Sequence, residues 1–157
     1  MKQPNVKIIP FEEQYAPDFA AINYWWLEKY FTIEQHDRIQ LDDPYTTIIK
    51  PGGQIFFAIV DGKAVGTVGL QVHNNDYELI KMGVLPEYKG LKIGEILVDA
   101  AIDYASKERK IKKILLGSNT KLQAALHLYR KAGFKEIPPD PNSPYQRCDI
   151  WMELALK

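Results

Sequence analysis

The chain has 157 residues, 46% hydrophobic and 25% charged, which fits one folded domain over residues 1–157 and excludes a disordered chain. Its 20 Lys and Arg balance 20 Asp and Glu, so no net charge draws it to nucleic acid, and no aromatic residues interleave with its basic ones. The single Cys148 forms neither an internal disulfide nor a zinc site, and no apolar run approaches the ~20 residues of a membrane span, so a reduced cytoplasmic compartment is expected.

Val6 to Ile9 reads as a short first strand. Apolar Tyr15, Phe19, Ile22, Trp26 and Tyr30 recur at helical spacing and predict a helix over 11–30, followed by a second over 33–41. Pro44, Pro51, Gly52 and Gly53 then punctuate a loop. QIFFAIV at 54–60 and KAVGTVGLQVH at 63–73 flank Asp61-Gly62, the signal of a tight hairpin. A further strand runs over 76–84 and closes at Pro86.

The second half changes rhythm. Ile93, Leu97, Ala100, Ala101 and Tyr104 predict an amphipathic helix over 94–108, with Asp99, Asp103 and Lys107 outside. Residues 112–117 read as a buried strand. Thr120 and Gln123 have capping-box spacing, and the helix they open ends at Gly133, which accepts a left-handed cap. Strands over 134–137 and 147–156 flank a proline-rich loop. The fold class is therefore α/β (α+β), a mixed, mostly antiparallel central sheet flanked by helices, with at least one parallel crossover.

Charge is unevenly distributed along the chain. Residues 1–78 carry 6 Lys and Arg against 11 Asp and Glu, whereas 81–135 carry 12 against 5, suiting a cationic and an anionic ligand respectively. Solvated faces would look the same. The most informative segment is MGVLPEYKGLKIGEIL, 82–97, a strand, a basic glycine-bearing loop and a helix start. Amides at such a helix start, with Lys89, Lys92, Gly90 and Gly94, suit phosphate groups. The segment is neither GxxxxGK[ST] nor GxGxxG, so nucleotide hydrolysis and hydride transfer lack support.

Val84 to Gly94 resembles motif A of the GNAT superfamily of acetyl-CoA-dependent N-acyltransferases, where a strand ending in V-x-P leads to an R/Q-x-x-G-x-G/A loop. LeuTyrArgLysAlaGlyPhe, 128–134, resembles that superfamily's motif B. The resemblance implies an acetyl-CoA site made of Met82, Val84, Lys89, Gly90, Leu91, Lys92, Ile93, Gly94 and Ala125. Lys92 stands where the family has a glycine, and its Cβ calls for an ordinary negative φ. Leu122 stands where many members carry an asparagine that holds the cofactor arm.

The resemblance also puts the Tyr129 hydroxyl near the thioester sulfur as an acid for the departing thiolate; as a residue alone, Tyr129 equally continues a core stripe with Leu122 and Leu126. Glu78, six residues before Val84, resembles the position of the general-base glutamate in some members of the family. Strict alternation would set it on one face with Ile80, Met82 and Val84, where burial weakens its acidity, although an exposed strand-end carboxylate is as good a reading. The acceptor, a small-molecule amine or amino acid, or a peptide N-terminus or lysine, is expected to meet Trp25, Tyr30 and Arg147, with Asp37, Asp42 and Asp43 nearby. His36, His73 and His127 have no metal spacing, so no metal is expected. A monomer or homodimer is expected, and a non-catalytic acyl-CoA-binding or regulatory domain is the alternative.

Overall fold

The computed structural model describes residues 5–156. The strands are β1 (Val6–Pro10), β2 (Gln54–Val60), β3 (Lys63–His73), β4 (Asp76–Val84), β5 (Lys113–Ser118), β6 (Lys135–Ile137) and β7 (Ile150–Ala155). The helices are α1 (Ala16–Tyr30), α2 (Gln35–Asp42), α3 (Ile93–Asp103) and α4 (Gln123–Ala132). One seven-stranded sheet holds them in the order β1-β2-β3-β4-β5-β7-β6. Every neighbour is antiparallel except β4 and β5, which are joined through α3.

Both faces of the sheet are covered, which is why β2 reads as a continuous apolar run. Ile55, Phe57 and Ile59 pack with Phe19 and Leu27 of α1 and Leu41 of α2. The alternate residues Ala58 and Val60 join Leu97 and Val98 of α3 and Leu126 of α4. Each fully buried Phe or Leu contributes about 1.5–3 kcal/mol relative to exposure. The β2–β3 hairpin turns on Asp61 (φ 50°) and Gly62 (φ 77°), both left-handed as its two-residue turn requires.

Two departures from regular periodicity shape the site. In α1 the buried residues are Phe19, Ile22, Asn23 and Leu27, so Leu27 takes the core position expected of Trp26 and leaves Trp25, Trp26 and Tyr30 at the surface of a cleft. In β4 the register against β3 slips by one residue between Ile80 and Gly83, and Lys81 sits at φ 51°. This bulge flips the alternation. Tyr77 and Leu79 before it and Met82 and Val84 after it all belong to the α3–α4 side, whereas Ile80 packs on the α1 side. Glu78 therefore does not share a face with Met82 and Val84, as strict alternation would have had it. The bulged Lys81 carbonyl accepts the Thr67 hydroxyl (2.9 Å), and Asn23 donates to Thr67 Oγ1 (3.0 Å), tying α1 to the irregularity.

The expected capping box of α4 does not form. Thr120 turns its hydroxyl and amide to Asp149 (both 2.9 Å), and the helix begins after Leu122. A capping box forms instead at α2, where the Glu34 amide donates to Asp37 Oδ2 (2.9 Å). The last strand starts at Ile150 rather than near Arg147, because the preceding loop is drawn across to α2. No helix among the described residues is long and apolar enough to cross a membrane.

Candidate active site

Strands β4 and β5 pair only at Tyr77 with Ile114 and Glu78 with Leu115. Beyond Glu78 they part, and a cavity of about 460 Å³ lies between Leu79–Val84 on one side and Gly117–Asn119 on the other. This is the carboxyl end of the one parallel pair, where the backbone of a mixed sheet is left free to meet a ligand.

At one end of the cleft stands the β4–α3 loop. Gly90 adopts φ +90° in open space, and Lys92 caps α3 at φ 59°. The negative φ expected at Lys92 is thus overturned: the loop keeps the left-handed turn that a glycine would give it, at a strain of about 1–2 kcal/mol. No side chain caps α3, and Ile96 is the first residue whose amide bonds back into the turn, to the Lys92 carbonyl (3.1 Å). The amides of Ile93, Gly94 and Glu95 are left for an anion at the positive end of the helix dipole. Lys89, Gly90, Lys92, Ile93 and Gly94 line the cleft, as do Met82, Val84 and Ala125 along its middle. Leu91 does not; it packs against the core beside α3. Leu122 lines the wall with no polar side-chain atom.

The chemistry-bearing residues meet in the same space. α4 ends in a Schellman turn, with Phe134 N–H to Tyr129 O and Gly133 N–H to Arg130 O (both 3.0 Å), which fixes Tyr129 one turn before Gly133 at φ +109°. Its ring packs on Phe134 and is only 6% exposed. Among the described residues no side-chain nitrogen or oxygen is both fully buried and unpaired, and the Tyr129 hydroxyl has no protein partner. The hydroxyl therefore reaches the cleft. Burial raises its pKa, so it stays a proton donor across the working range.

Glu78 lines the cleft where β4 and β5 part, its side chain 24% exposed and 3.8 Å from His73 Nδ1. Burial raises its pKa, with His73 and Lys81 pulling it down and Asp140 pushing it further up. Burial also pushes the Cys148 thiol up to about 11, so this cleft-lining thiol stays protonated near neutral pH.

The remaining wall is built around a buried ion cluster that local sequence pattern does not reveal. Asp37 of α2 accepts Lys81 Nζ (2.7 Å) and both terminal nitrogens of Arg147 (2.7 Å each). Glu34 accepts a further Arg147 contact (3.3 Å) and the Gln146 amide (3.0 Å). Tyr145 lies under both cations, accepts Lys81 Nζ (3.0 Å) and donates to Gln40 Oε1 (3.0 Å). Burial alone would raise the Asp37 pKa, but Arg147 and Lys81 hold it down at about 2. Burial draws the Lys81 pKa below its ordinary value. The one visible signal was a lysine inside the apolar strand LIKMGV, which has to find a partner.

These pairings revise the acidic-half expectation. Asp37 is neutralised, Asp42 accepts the Tyr24 hydroxyl (2.7 Å), and Asp43 accepts the Thr46 amide (3.2 Å). Trp25, Tyr30 and Arg147 all line the cleft, joined by Trp26 and Phe31, and Trp26 lies so close to β4 that a Cβ at Gly83 would fall 2.8 Å from its ring.

A family model described as "Acetyltransferase (GNAT) family" matches residues 19–134, which includes the loop, Glu78 and Tyr129. The chain belongs to the GNAT family. This GNAT chain is 28% identical to an acetyltransferase of the GNAT family from Staphylococcus aureus, whose crystal structure superposes with a TM-score of 0.86 over 98% of this chain and 100% of that one. It is 32% identical over 103 residues to a probable N-acetyltransferase, camello, of Xenopus tropicalis, covering 64% of this chain but only 46% of that protein, so the chain spans under half of that relative's length. It is 26% identical to the spermidine N(1)-acetyltransferase of Escherichia coli, over 83% of this chain and 73% of that one. Acetyl-CoA is the acyl donor of the GNAT family, and the same fold has been solved with coenzyme A in a Thermoplasma acidophilum N-acetyltransferase, 20% identical with a TM-score of 0.73 over 96% of this chain and 99% of that one.

Proposed function

We propose that this GNAT domain moves the acetyl group of acetyl-CoA to a primary amine of a small molecule by direct attack, with Glu78 as base and Tyr129 as acid. The observation that carries this is the meeting, in one cleft between parted strands, of a free-amide helix start, a carboxylate of raised pKa and a tyrosine hydroxyl without a partner among the described residues. The residues fit the donor: Lys89, Lys92 and the amides of Ile93 and Gly94 suit its phosphates, and Met82, Val84 and Ala125 would flank its arm. Bound there, acetyl-CoA would supply a thioester carbonyl for the amine nitrogen to attack and a thiolate as the leaving group.

Glu78 accepts the proton that the amine nitrogen must shed, because an ammonium has no lone pair for attack. Tyr129 offers its O–H to the sulfur as charge develops there, and its raised pKa keeps that proton in place until then. Neither residue forms a covalent bond to the acyl group, and the protonated Cys148 has no part. The lone thiol and the thiol product suit a reducing, cytoplasmic setting.

Thiol release measured against a panel of amines tests the reading. Release that requires both acetyl-CoA and an amine is expected, and coenzyme A binding with no turnover for any amine would overturn it in favour of a sensor. Tyr129→Phe should leave coenzyme A affinity and melting temperature nearly unchanged and lower single-turnover rates about 10²-fold, the low end for lost acid catalysis because a thiolate is a good leaving group. An unchanged single-turnover rate would return Tyr129 to a packing role. Gly90→Ala forces a Cβ into a left-handed position and should weaken coenzyme A binding roughly 5- to 30-fold by calorimetry, following about 1–2 kcal/mol of loop strain. An unaltered Kd would mean that the loop does not hold the donor in this conformation.

A further inference from the structure

The charges of the cleft divide into those with a task and those without. Lys81 and Arg147 meet Asp37, Glu95 pairs with Lys131 (3.1 Å), and Lys89 and Lys92 stand at the phosphate end. Lys121, in the loop between β5 and α4, is different. It lines the cleft with no carboxylate within 4.0 Å among the described residues, and its Nζ lies 5.5 Å from the Phe31 ring centroid. The Arg147 guanidinium lies 5.9 Å from the same ring.

Arg147 is not fully spent. Its contacts to Asp37 and Glu34 use Nη1 and Nη2, leaving Nε–H and one Nη2 hydrogen without an acceptor among the described residues. Because no fully buried side-chain nitrogen among the described residues is unpaired, that Nε edge reaches solvent-accessible space. Lys121 and Arg147 thus both line the cleft within 6 Å of the Phe31 ring, one with an ammonium that has no carboxylate partner among the described residues and the other with an unused guanidinium edge, and Trp25 and Tyr30 line the same cleft. Glu78 is the cleft carboxylate with no Lys or Arg within 4.0 Å among the described residues.

Resting on the acetyl-transfer reading above, we infer that the acceptor is an amine carrying a carboxylate, an amino acid with an apolar side chain. Glu78 takes the proton from its nitrogen, while Lys121 and the Nε edge of Arg147 hold its carboxylate and the rings around Phe31 take its side chain. A charge-assisted hydrogen bond to a planar guanidinium edge suits a carboxylate. A polyamine would instead bring its second charge against two cations, which like-charge repulsion disfavours.

Matched acceptor triplets test this: phenylalanine, phenylalaninamide and phenethylamine, and leucine, leucinamide and isoamylamine, with spermidine alongside. Thiol release is compared as kcat/KM per unprotonated amine, so that differing amine pKa values do not enter. The amino acid should exceed its amide and its decarboxylated amine by about tenfold or more, through KM. Lys121→Gln, an exposed replacement whose folding is checked by its melting temperature, should collapse that ratio, and Lys121→Glu should reverse it toward the plain amines. Equal rates across each triplet, or a preference for spermidine, would overturn the carboxylate assignment and leave acetyl transfer standing. Release with no acceptor at all would overturn both. A Lys121→Gln variant that loses coenzyme A affinity and keeps its preference would assign Lys121 to the nucleotide and equally overturn the inference.

Discussion

Asp37→Ala should lower the unfolding free energy by about 3–5 kcal/mol in a urea titration, because it leaves Lys81 and Arg147 without the carboxylate that both contact at 2.7 Å. Removing one partner of a buried pair exposes the remaining charge to the desolvation penalty, and here Lys81 loses its carboxylate while Arg147 keeps only the longer contact to Glu34 (3.3 Å). For a domain whose whole stability is about 5–15 kcal/mol, a loss of that size is a third or more of the total over most of the range. Adding Lys81→Met should recover part of the loss, since the apolar side chain no longer asks for an anion. A change under about 1 kcal/mol for Asp37→Ala alone would mean that the cluster is hydrated and energetically minor.

The same cluster gives an acid-side prediction with a definite sign. The folded Asp37 pKa, about 2, lies below its ordinary value of 3.8, so folding favours the ionised form. The stability this contributes is complete above pH 3.8 and is lost as pH falls toward 2. Asp37→Asn should lose that portion of the acid dependence. Because Glu34, Asp37, Tyr145 and Arg147 bind the loop before β7 to α2, the acceptor wall is expected to loosen over the same interval.

Local signals made most of the fold legible, and long-range ones did not. The Asp61-Gly62 hairpin, the apolar face of α3 and the Gly133 stop are each encoded within a few residues of where they act. The bulge at Lys81 is not, because period-two alternation gives no notice of one inserted residue, and the predicted face of Glu78 followed from assuming none. The ion cluster joins positions 44 and 110 residues apart in the chain, and charge counting could only record Asp37 as part of an acidic half. The Trp26 position turned on Gly83, whose missing side chain admits the ring and so decides which aromatic residues of α1 face the cleft. The strand, glycine-bearing loop and helix start over 82–97 are legible from their motif, but the left-handed turn at Lys92 is not, because a side chain with a Cβ ordinarily takes a negative φ.

Glu78→Gln should lower kcat/KM by roughly 10²- to 10⁴-fold at a pH where the acceptor amine is mostly protonated, and the loss should shrink as pH rises toward the amine's own pKa. Burial holds the Glu78 pKa above the ordinary carboxylate value, so the acid limb of the native pH profile should lie above that value and be absent from the variant. The sign for stability is opposite to that of Asp37. A carboxyl whose folded pKa is raised is stabilised by folding in its protonated form, and that contribution disappears as pH rises through the folded value. A neutral glutamine of the same shape should therefore leave the melting temperature unchanged or raise it above neutral pH, so lost activity cannot be traced to lost folding. A parallel drop at every pH would assign Glu78 to positioning the acceptor or the parting strands. Rescue at high pH with intact coenzyme A affinity would establish that what the cleft needs from this position is a proton acceptor, and burial of Glu78, which raises its pKa, makes its carboxylate a stronger base than an exposed one in that role.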